Sequence, residues 1–294
     1  MTAPDPDAPP TLLTHIDQSP VQQLPVFDPA VRQFPRGFRN GAPDAGLSEM
    51  DLHLWTSHHL SQTDVVLRTL VSAPCCAHLV LRGSWLLHLW FEPTARLPHD
   101  LDFVDASGAA PDDFVIEAVQ HLRSHLDRES GLVIDELRVC AIWTYEKVEG
   151  RRIAIPWAMN GLNGVVQVDV TFGEMIPSPP EAMAMGDAVV RVASMETSLA
   201  WKMLWLHTDS YPQGKDLFDA VLLSRHVGLS APMRDWLNRA IRADWPSYDN
   251  NLARFDFDLT EWQHFALEYP TLAFDTSPSA LKAELLHNLG LSNG

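Results

Sequence analysis

The chain has few cysteines, no long apolar run and no excess of positive charge, and each shortage removes a class of protein. Its three cysteines, Cys75, Cys76 and Cys140, include an adjacent pair that ordinary backbone geometry does not readily bridge, and no C-x-x-C spacing is present. Nothing here points to a disulfide framework, and a reducing cytoplasm fits best. No uninterrupted apolar run approaches the ~20 residues of a membrane span. The first residues show no basic stretch leading into an apolar one. The expectation is a soluble, cytoplasmic protein with no membrane partner. The formal net charge of -17 repels phosphates at long range, so non-specific adhesion to nucleic acid or anionic membrane is disfavoured.

That charge is uneven. Lys and Arg against Asp and Glu number 12 to 25 in residues 1–190, 7 to 5 in 191–242 and 2 to 8 in 243–294. Only the middle block, with Arg225, Arg234, Arg239 and Arg242, offers a basic path to a nucleic acid.

What is present is enough for a full core. The chain has 294 residues, 46% of them hydrophobic, and ten Trp, which suits two packed halves. The first 45 residues carry nine prolines and read as an arm. From Ser48 to Ser72, Leu52, Trp55, His59, Leu60, Val66, Leu67 and Leu70 recur at helical spacing. From Ala77 the pattern becomes strand (AHLVLRG), turn (Gly83-Ser84), helix (Trp85 to Phe91) and strand (DLDFVD). A helix is predicted over Asp112–Leu126, and strands over 132–145, 151–157, 165–172 and, after the breaker PSPP, 189–192. Helices over 195–207, 216–226 and 231–243 dominate the rest. The domain reading is an arm over 1–45, a mixed α/β domain over 46–193 and a helical domain over 194–294, with no internal repeat.

Three places carry chemistry. Asp100 and Asp102 in PHDLDFV are two apart on a strand, so both side chains leave the same face, where they repel unless a cation lies between them. Mg²⁺ suits such hard oxygen ligands, although solvated acids on an edge strand give the same pattern. Gly83-Ser84 lies between a strand and a helix, where backbone N–H groups can approach a phosphate, and where simple helix capping is the commoner use. Asp169 interrupts the apolar alternation of GVVQVDVTFG on the face shared with Gln167 and Thr171. Three carboxylates from two strands would hold two Mg²⁺ roughly 3.5–4 Å apart, the chemistry of phosphoryl or nucleotidyl transfer. Lys202 lies among apolar neighbours in METSLAWKMLWLH, either snorkelling to solvent or reaching an anion. Asp216 and Asp219 open the next helix, where capping is the plain alternative. His53, His58 and His59 lack the partners of a zinc set, and Cys75-Cys76 lacks an adjacent base, so both groups read as structural.

In order, LRGSWLLHLWF, ARLPHDLDFV, VQVDVTFGE, SLAWKMLWLH and GKDLFDAVLL resemble the AbiEii/AbiGii-type (MenT-like) nucleotidyltransferase toxins of type IV toxin–antitoxin systems, over about Leu79 to Ser224. The resemblance implies a polymerase-beta-like nucleotidyltransferase fold, an α/β mixed sheet with flanking helices followed by a helical C-terminal half. It implies that Gly83 and Ser84 hold triphosphate and that Asp100 and Asp102 bind metal. Asp169 would complete the metal site or assist the attacking hydroxyl, Lys202 would contact nucleotide phosphate, and Asp216, partnered by Asp219, would match the last acidic motif. Arg96 lies where relatives often place an arginine. Pro98 and Trp85 depart from the pattern. The implied reaction moves an NMP from an NTP to an acceptor, with a tRNA 3′ end as the acceptor and an antitoxin as a possible partner. A small hydroxylated molecule, a protein side chain, or a degenerate fold that only binds are the alternatives.

Overall fold

The computed structural model describes residues 46–291 apart from 128–129, 145–147, 187, 210–211, 256, 258 and 275. The proline-rich arm expected over residues 1–45 lies outside the described residues, as does Tyr145, the expected end of one strand. The chain forms two compact units. One takes residues up to Leu86, Leu97–Met175 and Glu181–Val192, and the other takes Leu87–Arg96, Ile176–Pro180 and everything from Ala193 onward.

The first unit opens with α1 (Glu49–Val71). The Ser48 side chain caps it by accepting from the Asp51 N–H, and Glu49 and Asp51 place negative charge in the first turn. Trp55, His59, Val66, Leu67 and Leu70 form its buried face, each full aliphatic burial stabilising by about 1.5–3 kcal/mol. Leu52, expected on that face, is instead exposed at 41%. Beyond it lie β1 (Leu79–Arg82), the first turn of α2 (Gly83–Phe91, whose residues from Leu87 belong to the second unit), β2 (Asp100–Asp105) and α3 (Pro111–His125), which starts with Pro in its first turn. The strands β3 (Arg138–Thr144), β4 (Val148–Met159), β5 (Leu162–Phe172), β6 (Glu181–Met185) and β7 (Ala188–Val192) follow.

All seven strands form one mixed sheet in the order β3-β4-β5-β2-β1-β7-β6. The pairs β1–β7 and β2–β5 are parallel, and the other neighbours are antiparallel. Two expectations change. Leu132 makes only an isolated bridge to Trp157, and Ile134–Glu136 is a 3₁₀ turn, because the acidic pair Asp135-Glu136 is a poor strand former. The segment Glu181–Met185, rich in Ala and Met, becomes a strand because β7 pairs with it, a tertiary override of local propensity.

The hairpin β4–β5 turns on Asn160 (φ 51°) and Gly161 (φ 78°). Two consecutive positive φ values make a type I′ turn, whose twist matches the flanking strands and which fixes their register. Met159 therefore pairs with Leu162, and the same distance along each strand Arg152 pairs with Asp169.

The second unit is helical: α4 (Met195–Thr208), α5 (Gly214–Ser224), α6 (Ala231–Asp244), α7 (Leu259–Glu268), α8 (Pro270–Ala273) and α9 (Pro278–Asn288). Its core gathers Leu199, Met203, Leu217, Val221, Leu237 and Leu285. Ser194, Ser230 and Ser277 cap α4, α6 and α9.

Candidate active site

The first unit brings three carboxylates together. On β2 the two-residue spacing puts Asp100 and Asp102 on one face, and parallel pairing with β5 sets Asp102 directly beside Asp169. One oxygen from each of Asp100, Asp102 and Asp169 lies within 4.8 Å of the others, the one such trio of metal-ligating side chains among the described residues. Registers on either side extend the row, with Arg82 on β1 opposite Asp102 and Arg152 on β4 opposite Asp169. An Arg-Asp-Asp-Arg line thus crosses four strands on one face.

The two arginines are used differently. Arg152 donates from Nε to Asp169 Oδ1 at 2.8 Å and from Nη2 to Oδ2 at 2.7 Å, a two-pronged ion pair with both side chains largely buried. Gln167 adds a third donor to Asp169 Oδ2 at 3.1 Å. Arg82 is turned to Glu174, with Nη1 2.6 Å from Oε1, and Thr171 donates to the other Glu174 oxygen at 3.1 Å.

Gly83 follows β1 with φ +77°, a left-handed conformation that favours glycine. A Cβ there would stand 2.2 Å from Asp102 Oδ2, so a side chain would displace the carboxylate. The helix begins at Gly83 itself rather than at Trp85, so the Gly-Ser pair forms its first turn. Ser84 donates its hydroxyl to Asp100 Oδ1 at 3.2 Å and is buried.

His59 also lies in this unit, buried and stacked on Trp55 with ring centroids 4.7 Å apart. Burial, reinforced by neighbouring His99, drives its pKa down to about 4, so it is neutral at pH 7. Burial likewise pushes the Cys75 and Cys76 thiols up, which suits inert packing rather than nucleophilic chemistry.

The remaining expected residues gather in the second unit. Lys202 on α4 is buried, with Nζ 2.8 Å from Asp216 Oδ1 and 2.9 Å from Asp219 Oδ2. Arg96 grips Asp219 through Nε at 3.1 Å and Nη2 at 3.0 Å, and its Nη1 donates to the Tyr269 hydroxyl at 3.3 Å. Burial works against the Lys202 ammonium, yet Asp216 and Asp219 outweigh it and hold its pKa above the ordinary value. Burial would raise the Asp219 carboxyl, but Arg96 and Lys202 hold it down. Lys202 therefore reaches anions, as one sequence reading had it, and Asp216 accepts from an ammonium while sitting in the first turn of α5.

Sequence reasoning passed over Arg152. The signal was the Asn160-Gly161 dipeptide, the strongest short-range hairpin mark, from which the register placing Arg152 opposite Asp169 can be counted.

Residues 65–283 match the family described as Nucleotidyl transferase AbiEii toxin, Type IV TA system. The chain belongs to this family and is a nucleotidyltransferase toxin by membership. Among solved structures, JHP933 from Helicobacter pylori shares 15% identity over 83% of this chain and 91% of its own, with a TM-score of 0.46. An antigenic nucleotidyltransferase-like protein from Paracoccidioides brasiliensis shares 16% identity over 75% of this chain and 93% of its own, with a TM-score of 0.39. No curated protein matches the chain. Among the described residues, no helix is long and apolar enough to cross a membrane.

Proposed function

We propose that the chain transfers a nucleoside monophosphate from an NTP to an acceptor hydroxyl, using Mg²⁺ held by Asp100, Asp102 and Asp169. The observation that carries this reading is the convergence of three carboxylate oxygens within 4.8 Å on a sheet face whose neighbouring Gly83 has no room for a Cβ. Acceptor-only, hard oxygen ligands fit Mg²⁺. Bound there, such ions would supply Lewis-acid charge to the reacting phosphate. Ser84 aims the Asp100 carboxylate through its hydroxyl, and the helix that starts at Gly83 favours an anion at its N-terminus, here the triphosphate.

The acceptor oxygen forms a bond to the α-phosphorus as the bond from that phosphorus to the bridging oxygen breaks. Pyrophosphate leaves with the electron pair, and the hydroxyl proton passes to a carboxylate, which we assign to Asp169. Lys202, with Asp216 and with Arg96 and Asp219 beside them, is assigned to nucleotide phosphate by the motif resemblance. Because two carboxylates already match the Lys202 charge, a phosphate contact requires one of them to yield it.

The tRNA 3′ end is the leading acceptor, with a cognate antitoxin as a further partner. A small hydroxylated acceptor is the second reading, favoured by the net charge of -17 and by the pairing of two basic-block arginines with the protein's own groups. Arg225 pairs with Glu284 at 2.7 Å, and Arg234 donates to the Leu289 carbonyl at 2.8 Å. The test incubates the protein with each labelled NTP, Mg²⁺ and total tRNA, beside an Asp100→Ala, Asp102→Ala double variant. Label on tRNA that the double variant fails to transfer is the expected result; no labelled acceptor, or equal labelling, sinks the mechanism. Steep loss of acceptor binding with rising salt separates tRNA from a small neutral acceptor.

A further inference from the structure

Two histidines outside the carboxylate site share one face of α3. His121 and His125 stand one turn apart, the i, i+4 spacing at which two imidazoles on a helix can grip one metal ion. Their rings are stacked, with centroids 4.0 Å apart and planes 20° from parallel. Tetrahedral Zn²⁺ with bonds of about 2.0–2.1 Å holds two ligating nitrogens ~3.3 Å apart, so rings this close are near the spacing of a chelate. His121 is half-buried and His125 exposed, which leaves the pair open to an ion from solvent.

Hydrogen bonds decide which ring nitrogens are available. Ser72, at the end of α1, donates its one hydroxyl proton to the Thr69 carbonyl at 2.7 Å. It can therefore only accept from His121 Nε2, 2.9 Å away, which puts the His121 lone pair on Nδ1. His125 Nδ1 lies 2.9 Å from the His121 carbonyl, an acceptor, so Nδ1 carries the proton and the His125 lone pair is on Nε2. Anchoring the far ring nitrogen on an oxygen is how metal-binding histidines are held in orientation and tautomer. Burial, helped by the His125 ring, lowers the His121 pKa and favours the neutral form that a metal needs. Exposed Glu117, one turn before His121, adds negative charge to the same face.

We propose that His121 Nδ1 and His125 Nε2 form a second cation site, for a transition ion such as Zn²⁺ rather than the hard Mg²⁺ that suits the carboxylates. Imidazole nitrogen prefers zinc, nickel and copper, whereas magnesium prefers oxygen. Leu122 follows His121 where a zinc peptidase motif carries its glutamate base, so the site binds the ion without peptidase chemistry. Among the described residues no third metal-ligating side chain joins the pair, and solvent completes the shell. An ion held only by the folded chain stabilises it by mass action.

The test titrates Zn²⁺ calorimetrically into the untagged full chain carrying Asp100→Ala and Asp102→Ala, which removes the carboxylate site from the count. Saturable binding that excess Mg²⁺ does not displace is expected, together with a rise in Tm. His121→Ala or His125→Ala, added separately, should weaken it at least about tenfold, since even the outer partners of metal ligands are worth that much. Long-range ¹H–¹⁵N spectra should show His121 Nδ1 and His125 Nε2 unprotonated and shifted by Zn²⁺. No Zn²⁺ binding overturns the proposal, as does binding that either histidine variant leaves intact or spectra that put the ion on other nitrogens. If His121→Ala does not fold by circular dichroism, His125→Ala at the exposed helix end and the spectra decide.

Discussion

The two units treat buried charge in opposite ways. In the first, one carboxylate oxygen from each of Asp100, Asp102 and Asp169 converges on a single face, with Arg152 paired to Asp169. In the second, Lys202 and Arg96 meet Asp216 and Asp219, so the charges balance. A balanced buried network holds its helices together, and a phosphate joins it only where one of its carboxylates gives up a cation. Carboxylates brought this close repel one another, and such a group is retained where a cation completes it. The difference teaches that converging carboxylates suit a cation, whereas paired buried ions chiefly hold helices in place.

The largest expected effect is on catalysis. Asp102→Asn should lower nucleotidyl transfer by on the order of 10³-fold or more, since metal charge supplies several kcal/mol. Its Tm should hold or rise, because a like charge has been removed from a crowd. Tm falling together with activity would make the trio structural and end the contrast.

Next is Lys202→Met, which leaves Asp216 and Asp219 buried without their ammonium and should cost about 3–5 kcal/mol in urea unfolding. A variant as stable as wild type would show that the second network is not a stabilising one.

His59 sharpens the picture of the first unit through pH. Its folded pKa of about 4 lies below the unfolded value of 6.5. Stability from this group is therefore complete above about pH 6.5 and is lost as pH falls through that value towards 4, when the unfolded chain takes up a proton that the folded chain refuses. The loss is on the order of 3 kcal/mol. His59→Leu should flatten that part of the stability–pH curve whatever its absolute stability, and an unchanged slope would refute the assignment.

The smallest effect is expected at the surface. Arg225 and Glu284 are about half and over a third exposed, so Arg225→Ala should change stability by less than about 1 kcal/mol. A larger change by denaturant unfolding would mean that surface pairs rival the buried network.

Much of this was legible before the fold. The spacing of Asp100 and Asp102, the Gly83-Ser84 turn after an apolar run and the lone Asp169 in an apolar strand each follow from strand alternation. The helices α1, α4 and α6 were legible for a similar reason, with serine caps where the apolar period begins. The strand Glu181–Met185 was not, since its residues favour another structure and only pairing with Ala188–Val192 decides it. The partner of Lys202 was also hidden, because a lysine among apolar neighbours looks the same whether it snorkels or pairs.

The sequence by itself determined which groups were available: the carboxylates, the glycine that tolerates φ +77°, the lysine among apolar neighbours and the acidic surplus of the chain. Local alternation and caps are written in neighbouring residues, so they can be read from them. Only the tertiary structure decided which charges face each other. Asp102 meets Asp169 through a parallel pairing of strands far apart in the chain, and Asp169 meets Arg152 through a hairpin register. The interaction of two charges depends on their separation in space, which sequence distance does not give.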